Sequence, residues 1–162
     1  MRWLVVIAWC GIAHADRPTD GQAKKTATAW IAAMHFGGDG KPDPSSTATP
    51  LFAAAYDDNG ATCPETTATT ADAIGKLLGC LHDKIAPKGK PKVWTKKSAQ
   101  NLGGPIAAHA KRLTALRKAA ALVELDEGCD GMENQVILAI TNDKKHGLRV
   151  AAVVAQTVTC GE

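Results

Sequence analysis

Residues 135–159, QVILAITNDKKHGLRVAAVVAQTVT, place apolar side chains at both odd and even positions of two extended runs around a polar turn. A strand wetted on one side alternates apolar and polar residues, so these runs call for cover on both faces of their sheet. Residues 120–126 read as a third such run, and three strands in succession with short connections imply an antiparallel meander. Setting Asn142 opposite Gly147 across the DKKH turn makes paired residue numbers sum to 289, so that Ala139 faces Val150 and Val136 faces Val153. One face then carries Ile137, Ala139, Leu148, Val150 and Ala152, and the other Val136, Leu138, Ile140, Ala151 and Val153. Helices can cover one face; a second subunit, an apolar ligand in a cavity or another helix must cover the other.

The helices lie earlier in the chain. Residues 21–36, GQAKKTATAWIAAMHF, bring Ala23, Ala27, Trp30, Ile31 and Met34 to helical spacing before Gly37 and Gly38. A turn-rich loop follows, and 51–56 is expected as a short helix. At 69–85, TTADAIGKLLGCLHDKI, Thr69 and Asp72 stand at capping-box spacing and Ile74, Leu77, Leu78, Leu81 and Ile85 form one stripe. Lys92 to Thr95 is a short strand candidate, and Gly103-Gly104-Pro105 opens a further helix through Ile106, Ala110, Leu113 and Leu116. Helices first and strands last predict one α+β domain over residues 16–162, with N-terminal helices packed on a C-terminal antiparallel meander.

The first residues, MRWLVVIAWCGIAHAD, have the charged, apolar and small-x-small order of a secretory signal peptide, with cleavage expected after Ala15. Trp9 stands where acylation of Cys10 would want a small residue, which disfavours a lipoprotein. No second apolar stretch reaches transmembrane length. The expected destination is export, to the periplasm or the medium.

Cys63, Cys80, Cys129 and Cys160 remain, an even number in an exported chain, so two disulfides in one of three connectivities are expected. The hairpin register brings Cys129 near Cys160, leaving Cys63 to join Cys80. The intervening stretch DEGCDGMEN fails as a calcium loop, because its third place from Asp126 is Gly128 and its twelfth is Ile137. It reads as the stapled end of a hairpin, and no metal site is expected there.

Charge is unevenly spread. From Lys84 to Lys118 there are ten basic residues and no Asp or Glu, whereas the rest of residues 16–162 holds 8 basic and 16 acidic residues. Lys92, Trp94, Lys96, Lys97, Lys111 and Arg112 are the candidate contacts for an anionic envelope component, with Trp94 offering a stacking surface. The plainer reading is a solvated lysine-rich face that offsets an acidic body. The lack of a recognition motif and of interleaved aromatics disfavours nucleic acid.

Catalytic motifs are missing from the sequence: no GxSxG, no HExxH, no CxxC, and no phosphate or dinucleotide loop that would imply a cofactor. Three residues retain acid–base potential, namely Asp57 and Asp58 in the stretch YDDNG, and His109. In CLHD, Cys80 and His82 are two apart on a helix and point in different directions.

The stretches TATAWIAAMHFGGDGK, ALVELDEGCDGMENQVILAI and HGLRVAAVVAQ, an early helix running into glycines and a terminal meander, resemble the NTF2-like (SnoaL-like) superfamily. That resemblance implies a curved antiparallel sheet wrapped around helices, often enclosing an apolar pocket and often dimeric. Its members include isomerases, dehydratases and non-catalytic binding domains. Three functions are therefore expected: a non-catalytic domain for a small apolar ligand or for protein assembly, an isomerase- or lyase-like pocket enzyme using Asp57, Asp58 or His109, and an envelope-binding module acting through 84–118.

Overall fold

The computed structural model describes residues 15–34, 47–57, 59–63, 74, 77–79, 81, 90–95, 97–125, 132–144 and 147–159. Its first helix, α1 (Asp20–Met34), follows a two-residue strand β1 (Ala15–Asp16). A capping box starts α1: the Gln22 backbone N–H donates to Thr19 Oγ1 at 3.3 Å and the Thr19 N–H donates to Gln22 Oε1 at 3.0 Å. Ala23, Ala27, Trp30 and Ile31 form its buried stripe, as their spacing predicts.

The sheet is built from β1, β2 (Thr47–Tyr56), β3 (Lys92–Val93), β4 (Ala121–Leu125), β5 (Met132–Asp143) and β6 (Gly147–Thr159). Its order is β2-β6-β5-β4-β3, with β1 pairing antiparallel to β5 at Asn142 and Asp143. The meander β4-β5-β6 is antiparallel as expected. Two expectations are corrected at the other edge: residues 51–56 belong to a strand, not a helix, and that strand runs parallel to β6. The protein is thus α+β with a mixed sheet. Ala53, Ala54 and Ala55 favour helix in isolation, but burial on both sides of the sheet decides their state.

The hairpin register also differs. Asp143 pairs with Gly147, and Gly147 takes a left-handed φ of +77° that favours glycine. Paired numbers near the turn sum to 290, as in Ile140 with Val150. Beyond an extra residue, Ala151, they sum to 291, as in Ala139 with Ala152. The bulge moves Leu148 and Val150 to the face of Val136, Leu138 and Ile140. The expected register of 289, which set Cys129 against Cys160, does not hold along the strands; the two cysteines themselves lie outside the described residues.

Both faces are apolar and both are covered by this chain. On the first, α1 and the buried Ile74, Leu77, Leu78 and Leu81 pack on Ala53, Ala55, Val123, Val136, Leu138, Ile140 and Val153. On the second, Trp94, Ile106, Leu113 and Leu116 pack on Phe52, Ala54, Leu122, Ile137, Ala139, Ala152 and Val154. The second cover comprises two 3-10 helices, Ser98–Asn101 and Pro105–His109, and α2 (Ala110–Leu116). Pro105 begins the second of them, where its missing N–H costs nothing. The bare face that called for a second subunit or an apolar ligand is therefore occupied by the stretch that follows Trp94. No helix among the described residues is long and apolar enough to cross a membrane.

Candidate functional site

At the C-terminal ends of the parallel pair β2 and β6, the second face changes from apolar to polar. Phe52, Ala54 and Tyr56 alternate onto that face along β2, and Tyr56 pairs in register with Gln156. The Gln156 side chain is 4% exposed and fully used. Its Oε1 accepts from the Ile106 N–H at 3.1 Å, while its Nε2 donates to Gly103 O at 3.3 Å and to Gln135 Oε1 at 2.9 Å. Gln135 Nε2 in turn donates to Glu124 Oε1 at 2.6 Å. A hydrogen-bonded row thus crosses β6, β5 and β4 and clamps the start of the second 3-10 helix. Gly104 sits at φ +63°, where a Cβ would come within 3.0 Å of Gln156 Oε1.

That clamp sets His109 over the sheet. Its ring stacks on Phe52 with centroids 5.9 Å apart and planes at 18°, and its Nε2 lies 2.6 Å from the Tyr56 hydroxyl. Arg112, one turn further, lays its guanidinium over the Phe52 ring with Cζ 3.9 Å from the centroid. Burial lowers the proton affinity of His109 below that of a free imidazole, and the Arg112 cation lowers it further. At neutral pH the ring is therefore neutral, and it either accepts the Tyr56 O–H at Nε2 or donates from Nε2 to the Tyr56 oxygen. His109 Nδ1 has no hydrogen-bond partner among the described residues and is not buried.

Of the acid–base candidates among the described residues, His109 alone enters this arrangement. Asp57 is half-buried and holds its own turn, with Oδ1 accepting from the Asn59 N–H at 3.0 Å and the Ala61 N–H at 2.8 Å. Gly60 at φ +75° completes that turn against Pro105. Asp58 lies outside the described residues. Among the described residues no carboxylate orients His109, as a relay of the usual kind would require.

Among the anion-binding candidates, Lys92, Lys97, Lys111 and Arg112 are exposed, and Lys96 lies outside the described residues. Trp94 is a correction. It is 3% exposed, it packs in the second core, and its backbone N–H donates to Leu122 O at 3.0 Å. It presents no stacking surface, because the apolar face needs a large side chain there. Cys63 is buried, and Cys80, Cys129 and Cys160 lie outside the described residues. Among the described residues no group of three or more His, Cys, Asp or Glu could hold a metal ion.

Tyr56, Phe52 and Gln156 carry the site and were not singled out from sequence. Strand parity on β2 would have found Phe52 and Tyr56, which required recognising 51–56 as a strand, and Gln156 is marked by being polar within the apolar run of β6. Comparison with known proteins finds no matching family model and no matching curated protein.

Proposed function

We propose that this chain is an exported, non-catalytic binding module that meets an anionic component of the cell envelope through the cover of its second sheet face. One observation carries the reading. Lys90, Lys92, Lys97, Lys111, Arg112 and Lys118 are exposed within a stretch that contains no Asp or Glu. These cations ride on a fixed layer rather than a free loop, since Ile106, Leu113 and Leu116 anchor it in the core and Gln156 clamps its start. A fixed array of like charge keeps a positive potential that solvated, acid-interspersed lysines would cancel. The signal-peptide pattern of residues 1–15 supplies the route out. Two disulfides, Cys129 with Cys160 and Cys63 with Cys80, belong to the same proposal and suit an oxidising compartment.

Residues 16–162 are expected to be retained on vesicles containing phosphatidylglycerol and to lose at least about tenfold in retention between about 0.05 M and 0.5 M salt, as screening shortens the reach of the layer. The triple variant Lys97→Glu, Lys111→Glu and Lys118→Glu should abolish retention with an unchanged unfolding midpoint. Retention that survives both high salt and the triple variant would remove the charge mechanism.

A further inference from the structure

We propose that Tyr56, His109 and Arg112, gathered on Phe52, form a binding point for a phosphate monoester group within the basic layer. The inference rests on the anion-binding reading above and names the chemistry read there.

Arg112 is exposed, and no hydrogen bond or ion pair engages its guanidinium among the described residues. The same guanidinium is nonetheless held in place by lying on Phe52, which is 8% exposed and rooted in the second core. A planar fork of donors, oriented in advance and unspent, suits two oxygens of one oxyanion. His109 supplies a second point on the same support. With Nε2 tied to Tyr56, its outward atom is Nδ1, a donor either when the ring is protonated or when Tyr56 donates to Nε2.

Among the described residues, the surroundings favour an anion. Arg112 stands beside His109 on its own helical run, and Lys111 is exposed next to it. From β2 comes Tyr56, and from β6 the uncharged Gln156, whose hydrogen bonds are spent on Gly103, Ile106 and Gln135. The carboxylate of the adjoining turn, Asp57, is directed into backbone N–H groups at Oδ1. A carboxylate ligand would be satisfied by Arg112 alone. A monoester dianion has the extra charge and oxygen to engage His109 as well, and it offsets the cost that Arg112 and burial impose on protonating that ring.

Binding and protonation are then linked reciprocally. A monoester strengthens proton binding at His109, and affinity for the dianion rises as pH falls from neutrality toward about 6, where the ester takes up its own second proton.

The test uses residues 16–162 and follows the His109 imidazole resonance, assigned by its loss in His109→Gln, through a pH titration in inorganic phosphate and in chloride at matched ionic strength. Phosphate is expected to raise the proton affinity of His109 at least about threefold, leaving His35, His82 and His146 unmoved, and Arg112→Gln should remove the effect. Retention on vesicles of phosphatidic acid is then compared with phosphatidylglycerol at equal charge. Preference for phosphatidic acid supports the proposal with a lipid headgroup as source; equal retention with the His109 response intact supports it with a soluble phosphate monoester as source. An unchanged His109 titration in phosphate, or the same change in Arg112→Gln, overturns it. If salt-sensitive retention persists in that case, the basic layer stands without this binding point; if retention is lost as well, both readings fall.

Discussion

Gln156 shows how one side chain can tie a cover to a sheet. It is buried, and its amide satisfies the Ile106 N–H, the Gly103 carbonyl and the Gln135 side chain at once. Gln156→Leu keeps the volume and strands those groups, so a loss of about 2–3 kcal/mol in urea unfolding is expected. A loss under about 0.5 kcal/mol would mean that water replaces the clamp. His109 makes a separate prediction about pH. Its folded-state proton affinity lies below the ordinary value of 6.5, so on acidification the unfolded chain takes up this proton first. Stability should therefore fall as pH drops from about 6.5 through the folded-state value and level off below it. Unfolding midpoints measured between neutral and acidic pH should show this loss in the native chain and a smaller one in His109→Gln. His109 was legible in sequence as a candidate base; that it pairs with Tyr56 was not, since the two are 53 residues apart and meet only through the β2–β6 pairing.

Among the elements, periodicity recovers those whose burial pattern matches one period. α1 shows Ala23, Ala27, Trp30 and Ile31 on one stripe, and β4, β5 and β6 read as extended because their apolar residues fill both parities. It fails for β2, whose run LFAAAY is apolar at every place and alanine-rich, so neither period stands out. The bulge at Ala151 is equally silent, because alanine fits either face. β2 should accordingly resist helix-favouring logic: Ala55→Leu, a better-packed choice on a helix, adds volume at a fully buried place and should cost about 1–3 kcal/mol. A neutral or stabilising Ala55→Leu in thermal unfolding would contradict its burial in the core of the first face. At the start of α1, Thr19→Ala removes the reciprocal cap and should cost about 1 kcal/mol in the same assay.

At the scale of the whole molecule, the acid-free basic run of the chain supplies the cover of one sheet face. The first face is closed by α1 and the stretch around Ile74 to Leu81, and the second by residues that are basic wherever they are charged. Sequence composition exposes that asymmetry directly, but not its mounting: Trp94 reads as a surface aromatic among lysines, whereas it is a core residue that fixes the layer to Leu122. The cover also explains why the terminal hairpin needs no second subunit to shield it. The most direct test of the basic layer as the contact surface is amide hydrogen exchange on residues 16–162, with and without vesicles of anionic phospholipid. Added protection concentrated between 97 and 118, with α1 unchanged, is expected. Protection confined to α1, or none at all under conditions where the protein is retained, would contradict it.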